Sequence, residues 1–198
     1  MEREMSNSCL KDLGRYTFFT KLGELDGVIS HCKHHIKNLD TFMKDVYFDT
    51  PLLLAPNFGR IRYEPLGVAL VMGSWNYPFY VCLKPLAQAI ASGNCCVIKP
   101  SEMAPTAANV LHKLVDKYLD SRCYRVLEGD VNVSIEVSKH PFDLICFTGS
   151  GEKGKMVAKA ASDNLIPCIL ELGGKCPVII DKEANCDFAA YKTVMAKF

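Results

Sequence analysis

The feature that most constrains this chain is an alternation of short apolar runs and longer amphipathic stretches from Ile61 onward. The apolar runs have the length of strands and no polar face, a pattern that predicts a parallel sheet covered by helices on both sides. The predicted strands are 68–72, 95–98, 125–127, 144–147, 166–170 and 177–180. The fold class is therefore α/β, with a parallel sheet and helices on both faces.

Helical periodicity predicts the elements that connect these strands. Apolar residues recur at intervals of three and four over 80–92, 105–119, 151–162 and 187–198. The same pattern predicts an amphipathic helix over 21–46, which ends before Thr50-Pro51 because a residue that precedes proline disfavours the helical conformation. We divide the chain into an N-terminal helical segment, 1–60, and a sheet domain, 61–198.

The charge balance excludes one class of function. The 198 residues include 23 Lys and Arg against 22 Asp and Glu, a formal charge of +1. Nucleic acids and anionic membranes bind proteins with a basic excess, so no nucleic-acid partner is predicted. Residues 65–83 carry no formal charge, but their glycines and prolines would interrupt a helix. We predict a buried strand and a loop there, and no membrane-spanning segment.

Ten cysteines make the state of the thiols an early question. The chain starts Met1-Glu2-Arg3-Glu4, which is not a secretory signal, so we expect reduced thiols and a cytoplasmic protein. No C-x-x-C pair occurs, which disfavours structural zinc. His31 could share a helix face with His34 or His35 as metal ligands. Because no further ligand pairs with them in the sequence, we predict a solvated polar face and no metal.

Polar or glycine-rich residues follow four of the predicted strands, where ligands bind in parallel sheets. Gly149, Gly151 and Gly154 form G-x-G-x-x-G between a strand and a helix, a spacing that lets backbone N–H groups approach a pyrophosphate. A helix-starting loop without a ligand is the alternative. Glu171 lies 22 residues after Gly149 and superficially matches the acidic residue that holds a ribose in this motif.

Lys99 and Glu102 form a competing ribose site. They are three residues apart, directly after a buried strand, and Pro100 fixes the turn between them. A lysine and a carboxylate at this spacing could hold the two hydroxyls of a ribose. They could equally form a capped helix entry with a solvated ion pair, and spacing alone does not separate the two interpretations.

Asn76 and Glu171 have the chemistry of catalytic groups. The Asn76 amide, in the loop between Trp75 and Pro78, could donate to a developing oxyanion or could bond its own backbone in a turn. Glu171 ends an apolar strand and precedes two glycines. A carboxylate with few charges around it suits general-base work, and a salt bridge to Lys175 is the alternative.

Together these motifs resemble the aldehyde dehydrogenase superfamily, and most closely its class 3 branch, which includes the fatty aldehyde dehydrogenases. The resemblance runs from about Lys11 to Phe198 and implies a Rossmann-like cofactor-binding domain. The motifs that carry it are Trp75-Asn76-Tyr77-Pro78, Gly93-Asn94, Lys99-Pro100-Ser101-Glu102, Phe147-Thr148-Gly149-Ser150 and Leu170-Glu171-Leu172-Gly173-Gly174-Lys175. Five motifs in the same order make the resemblance specific.

The resemblance implies oxidation of an aldehyde substrate to a carboxylate with NAD or NADP, and a homodimer for a full-length protein. Asn76 is then the oxyanion donor and Glu171 the base that activates the hydrolytic water. The implied cofactor-binding residues are Trp75, Lys99, Glu102, Gly149, Ser150, Gly151, Gly154 and Leu172. Glu102 would repel a 2′-phosphate, which favours NAD, whereas the class 3 resemblance implies that either nucleotide is accepted.

The nucleophile of the family is a cysteine thiolate that follows the segment matching Ala196-Lys197-Phe198. None of the ten cysteines occupies that position. We therefore expect the nucleophile and the catalytic domain to lie outside these 198 residues. Three hypotheses follow: part of an active enzyme, a nucleotide-binding pseudoenzyme without turnover, or a remnant that does not fold.

Overall fold

A computed structural model describes residues 1–197. The chain begins with helices and a small hairpin, then forms strands that alternate with helices. The helices are α1 (Glu2–Leu13), α2 (Thr17–Thr20), α3 (Asp26–Phe42), α4 (Tyr80–Ala91), α5 (Pro105–Tyr118), α6 (Val131–Val137), α7 (Gly151–Ser162) and α8 (Cys186–Lys197). The strands are β1 (Val46–Phe48), β2 (Gly59–Ile61), β3 (Val68–Met72), β4 (Cys95–Lys99), β5 (Tyr124–Val126), β6 (Leu144–Gly149) and β7 (Cys168–Leu172). A π-helical turn, Lys21–Leu25, joins α2 to α3, and a 3₁₀ turn, Leu52–Leu54, lies between β1 and β2.

Strands β3 to β7 form one parallel sheet in the order β5-β4-β3-β6-β7. The chain runs outward from β3 through β4 to β5, crosses back to β6 beside β3, and continues to β7. The order therefore reverses between β3 and β6, and the crevice at such a reversal is where α/β sheets bind ligands. Strands β1 and β2 form a separate antiparallel pair.

Both faces of the sheet are covered at its central strands, which explains why β3, β4 and β6 have no polar face. Val71 and Ile98 belong to a core cluster that includes residues of α1, α4 and α5. Leu70 and Ile145 belong to a second cluster with Val157 of α7. Successive residues of a strand point to opposite faces, so β3, β4 and β6 contribute to both clusters, whereas β5 contributes to the first and β7 to the second. The predicted α/β class with a parallel, doubly covered sheet is confirmed.

The structure differs from the prediction at several elements. Residues 177–180 are not a strand: they are exposed, and among the described residues no strand pairs with them. The predicted helix 21–46 begins with the π-helical turn, ends at Phe42, and is followed by β1 from Val46. The strand predicted over 166–170 runs from Cys168 to Leu172, because the preceding turn continues to Leu165, which adopts φ 54°.

Helices α1 and α6 and the β1–β2 hairpin had no counterpart in the prediction. Helix α1 is mostly polar, but Met5 and Cys9 are buried in the same core cluster as the sheet. The division at residue 60 stays a prediction. The predicted helix 187–198 is present as α8, and its last residue, Phe198, lies outside the described residues.

Candidate functional site

A crevice of about 710 Å³ lies at the carboxyl ends of β3, β4, β6 and β7. It opens at the reversal of strand order, so the loops that follow these strands all reach it. Eight of the ten predicted site residues line it: Trp75, Asn76, Lys99, Glu102, Gly149, Ser150, Glu171 and Leu172. The structure thus brings together residues that are up to 97 positions apart in the sequence.

Lys99 is the most buried charged group of the crevice, with 2% of its surface exposed. Its Nζ donates to the carbonyl oxygen of Pro100 at 2.8 Å and lies 3.7 Å from Oε2 of Glu102. Burial lowers the pKa of Lys99, and the Glu102 carboxylate partly opposes that shift. A buried cation beside an exposed carboxylate can bind hydroxyl groups that accept from one and donate to the other.

The turn from β6 to α7 presents a helix N-terminus to the crevice. Ser150 is the N-cap residue, and its Oγ accepts from the Lys153 amide at 3.4 Å. A Cβ on Gly149 would lie 2.6 Å from the Phe147 ring, so a larger residue at this position would have to displace that ring. Free amides and the helix dipole at such a terminus favour an anion, such as a phosphate group.

Gly151 and Gly154 do not line the crevice. A Cβ on Gly151 would meet nothing within 4 Å, so no close approach requires a glycine there. A Cβ on Gly154 would lie 2.7 Å from the Leu172 side chain, so this glycine allows α7 to pack on β7. Their predicted role in cofactor binding stays a prediction.

Asn76 lies in the loop between β3 and α4. Its Oδ1 accepts from Ser74 Oγ at 2.6 Å, an arrangement that leaves the Nδ2 amide as the donor group. Its backbone oxygen accepts from the guanidinium of Arg15. Trp75, beside it, is 47% exposed and forms part of the crevice wall.

Glu171 lies opposite this loop, on β7, with Thr148 of β6 as its register partner. It lines the crevice, and its side chain is exposed to solvent. Asn76 and Glu171 therefore face the same crevice from strands β3 and β7, which are separated in the sheet by β6.

One wall of the crevice was missed by sequence reasoning. It is formed by three residues of α6 and two residues that follow the helix: Val131, Ser134 and Ile135, and then Ser138 and Lys139. Helix α6 has only seven residues, too few for a periodic signal. The signal that could have located it is Asp130, whose Oδ1 accepts from the Asn132 and Val133 amides at 2.9 and 3.3 Å as an N-cap.

Two further findings bear on other classes of site. His31 and His35 lie on one face of α3, with their Nε2 atoms 2.9 Å apart. No third ligand joins them: within the described residues, no group of three or more His, Cys, Asp or Glu side chains is placed to hold a metal. No helix in residues 1–197 combines the length and the apolar character that a membrane span requires.

Comparison with known proteins gives a consistent result along the chain. A family model described as "Aldehyde dehydrogenase family" matches residues 2–198. The chain is 37% identical over 197 residues to aldehyde dehydrogenase family 3 member I1, chloroplastic, of Arabidopsis thaliana, and covers 36% of that protein. A solved structure of Staphylococcus aureus AldH in a substrate-bound state matches with a TM-score of 0.94 and 38% identity, over all of this chain and 43% of that one.

A second solved structure extends the comparison. Betaine aldehyde dehydrogenase of S. aureus, a Y450L variant in complex with NAD⁺, matches with a TM-score of 0.86 and 27% identity, over 98% of this chain and 39% of that one. In all three comparisons the chain spans less than half the length of the protein it matches.

Proposed function

The chain belongs to the aldehyde dehydrogenase family, and from that premise we propose that its crevice binds NAD or NADP as the cofactor part of an enzyme that oxidises aldehydes to carboxylates. The observation that carries the proposal is the convergence of Asn76, Lys99, Ser150 and Glu171 at the ends of four parallel strands. In this proposal residues 61–198 form the dinucleotide-binding unit, and residues 1–60 the helical segment beside it.

The crevice has features that fit a dinucleotide. Lys99 provides a buried cation beside the Glu102 carboxylate, which suits the paired hydroxyls of a ribose. The N-terminus of α7 at Ser150 suits a pyrophosphate. The NAD⁺ complex of the 27% identical betaine aldehyde dehydrogenase supports a nicotinamide nucleotide.

Two side chains of the crevice are proposed for the reaction itself. A nicotinamide nucleotide, if bound, would supply the hydride acceptor. The Nδ2 amide of Asn76 donates to the oxyanion of the thiohemiacetal that forms when a cysteine thiolate adds to the aldehyde, and loss of a hydride from that carbon then leaves a thioester. The Glu171 carboxylate takes a proton from the water that hydrolyses the thioester.

A second candidate, nucleotide binding without turnover, is favoured for the 198-residue chain by itself. None of the described residues that line the crevice is a cysteine. Burial raises the pKa of Cys9, Cys82 and Cys96 to about 12, which suppresses their thiolates at neutral pH. All ten thiols are free, which supports the proposal of a reducing, cytoplasmic location.

The test is a titration with NAD⁺ and NADP⁺, followed by the fluorescence of Trp75, the single tryptophan, which lines the crevice. We expect saturable quenching and, for Lys99→Met, a loss of affinity of about tenfold or more, equivalent to about 1.4 kcal/mol. Lys113→Met, at an exposed lysine outside the crevice, is the control and should leave the affinity unchanged. Absence of quenching by either nucleotide would overturn the proposal.

The choice between NAD and NADP is tested at Glu102. Its carboxylate lies 3.7 Å from Lys99 and is partly exposed to the crevice, so it would repel a 2′-phosphate. We expect Glu102→Gln to raise the affinity for NADP⁺ relative to NAD⁺. An unchanged ratio of the two affinities would contradict this role for Glu102.

A further inference from the structure

The loop that carries Asn76 is attached to the N-terminal helices by a buried ion pair. Glu24 lies in the π-helical turn before α3 and has none of its surface exposed. Its Oε1 accepts from Arg15 Nη1 at 2.6 Å and from Cys9 Sγ at 3.6 Å. Burying a carboxylate costs solvation free energy unless hydrogen bonds and an opposite charge compensate both of its oxygens. The position of Glu24 therefore needs a structural or functional explanation.

The other oxygen of Glu24 holds one end of the loop. Its Oε2 accepts from the amides of Phe79 and Tyr80 at 2.8 and 3.1 Å. These amides open α4, whose own N-cap residue provides no side-chain bond. Glu24 therefore caps α4 from a distant part of the chain, and the capped turn follows Asn76 by only three residues.

Arg15 holds the other end of the loop. While Nη1 binds Glu24, Nη2 donates to the backbone oxygen of Asn76. The guanidinium also stacks on the Tyr77 ring, 4.5 Å from its centroid. The planar fork of arginine can make these contacts simultaneously, which the point charge of a lysine cannot.

The helix that carries Glu24 approaches the same loop closely. A Cβ on Gly23 would lie 3.5 Å from the Tyr77 ring, and a Cβ on Gly27 would lie 2.9 Å from the Tyr80 ring. Gly23 of the π-helical turn and Gly27 of α3 thus let Tyr77 of the loop and Tyr80 at the start of α4 pack closely against this segment.

We propose that Arg15 and Glu24 are positioning residues that fix the loop 73–80 at two points and thereby aim the Asn76 amide into the crevice. The catalytic meaning of this attachment rests on the proposed function, in which the Asn76 amide is the oxyanion donor that Arg15 and Glu24 orient. Neither side chain lines the crevice, so they act through the loop and not on a substrate.

Trp75 reports the loop directly, because it is adjacent to Asn76. The test measures acrylamide quenching of Trp75 and the NMR signal of the Asn76 side-chain amide in the full chain. Arg15→Lys keeps a cation beside Glu24 but loses the second contact, so the variant should fold and release the loop. Trp75 is already 47% exposed, so complete release of the loop would about double its accessible surface. We therefore expect the acrylamide quenching constant to rise by up to about twofold and the NMR signal of the Asn76 amide to shift.

Two further variants control the result. Glu24→Gln retains an oxygen for the loop amides but places an amide against Arg15, and should shift the same two signals. Arg60→Lys changes the exposed ion pair with Asp45, 2.9 Å apart on the hairpin side, and should shift neither. Unchanged Trp75 quenching and an unchanged Asn76 signal in folded Arg15→Lys and Glu24→Gln would overturn the proposal.

Loss of cooperative unfolding in Arg15→Lys would also overturn it, because the pair would then support the whole fold and not the loop. A separate titration of the unmodified chain with NAD⁺ and NADP⁺ keeps the two proposals apart. If neither nucleotide binds while Arg15→Lys still releases Trp75, the proposed function fails and the two-point attachment of the loop stands.

Discussion

Strands β3 and β7 both have five residues and end at the same crevice, yet they are covered very differently. Four of the five residues of β3 are buried, whereas β7 has none. Beyond β7, apolar side chains such as Ile179 and Phe188 are exposed. Strand β3 lies at the centre of the sheet and β7 at its edge. The residues proposed for the ribose and pyrophosphate, and the Asn76 loop, are thus built into the covered region, while Glu171 belongs to the open one.

This difference separates the residues proposed for nucleotide binding, and Asn76, from the proposed base Glu171 within one crevice. Lys99 and the α7 N-terminus are held by strands with buried side chains and by their own hydrogen bonds. Glu171 is fixed mainly by the backbone pairing of β7 with β6. Nucleotide binding should therefore depend on the covered strands, and be less sensitive to changes at the edge.

The largest expected effect contrasts the same substitution in the two regions. Ile98→Ala removes a side chain of β4 with no exposed surface and should lower the free energy of unfolding by about 2–5 kcal/mol. Ile179→Ala, at a side chain that is 93% exposed, should change it by less than about 0.5 kcal/mol. Urea unfolding followed by circular dichroism measures both. Equal losses would contradict the division into a covered and an open region.

Sequence reasoning succeeded where one local pattern decided the structure. The apolar runs of β3, β4 and β6 and the helix 151–162 required no knowledge of distant contacts. It failed at residues 177–180, since an apolar run becomes a strand only when another strand pairs with it. It also missed α1, whose buried Met5 and Cys9 acquire their role only by packing on the sheet.

The candidate site shows the same limit. Motifs directly after strands located the crevice residues, because the carboxyl ends of parallel strands share one edge. The pairing of Arg15 with Glu24, and of both with the Asn76 loop, joins segments up to 61 residues apart and has no local pattern. The wall formed by α6 was missed because the helix is short.

A smaller effect is expected at the glycines that follow the two strands. A Cβ on Gly73, after β3, would lie 2.3 Å from the Sγ of buried Cys82, so Gly73→Ala must displace α4 or the loop. We expect a loss of stability of about 1–3 kcal/mol, with weaker nucleotide binding. A Cβ on Gly173, after β7, would meet nothing within 4 Å, and Gly173→Ala should be nearly neutral. A neutral Gly73→Ala would show that the covered strand end tolerates rearrangement.

The smallest expected effect is a pH dependence that reverses sign between a buried and an exposed carboxylate. Burial raises the pKa of Glu24 above its ordinary value of 4.5, although the amides of Tyr80 and Phe79 and the Arg15 cation oppose the shift. From pH 4.5 up to the raised pKa, folded Glu24 keeps a proton that the unfolded chain loses. Its contribution to the free energy of unfolding therefore falls as pH rises through this window.

Asp130 should behave in the opposite way. The Val133 amide, and then Asn132, hold the pKa of this exposed N-cap carboxyl below its ordinary value of 3.8. Its contribution to stability is present above pH 3.8 and is lost as pH falls through the lowered pKa. Urea unfolding over pH 3–7 of the unmodified chain, Glu24→Gln and Asp130→Asn separates the two groups. As pH rises, the free energy of unfolding of the unmodified chain minus that of Glu24→Gln should decrease. The free energy of unfolding of the unmodified chain minus that of Asp130→Asn should increase over the same range. The same sign for both differences would contradict the assignment of Glu24 as a carboxylate whose burial outweighs its hydrogen bonds.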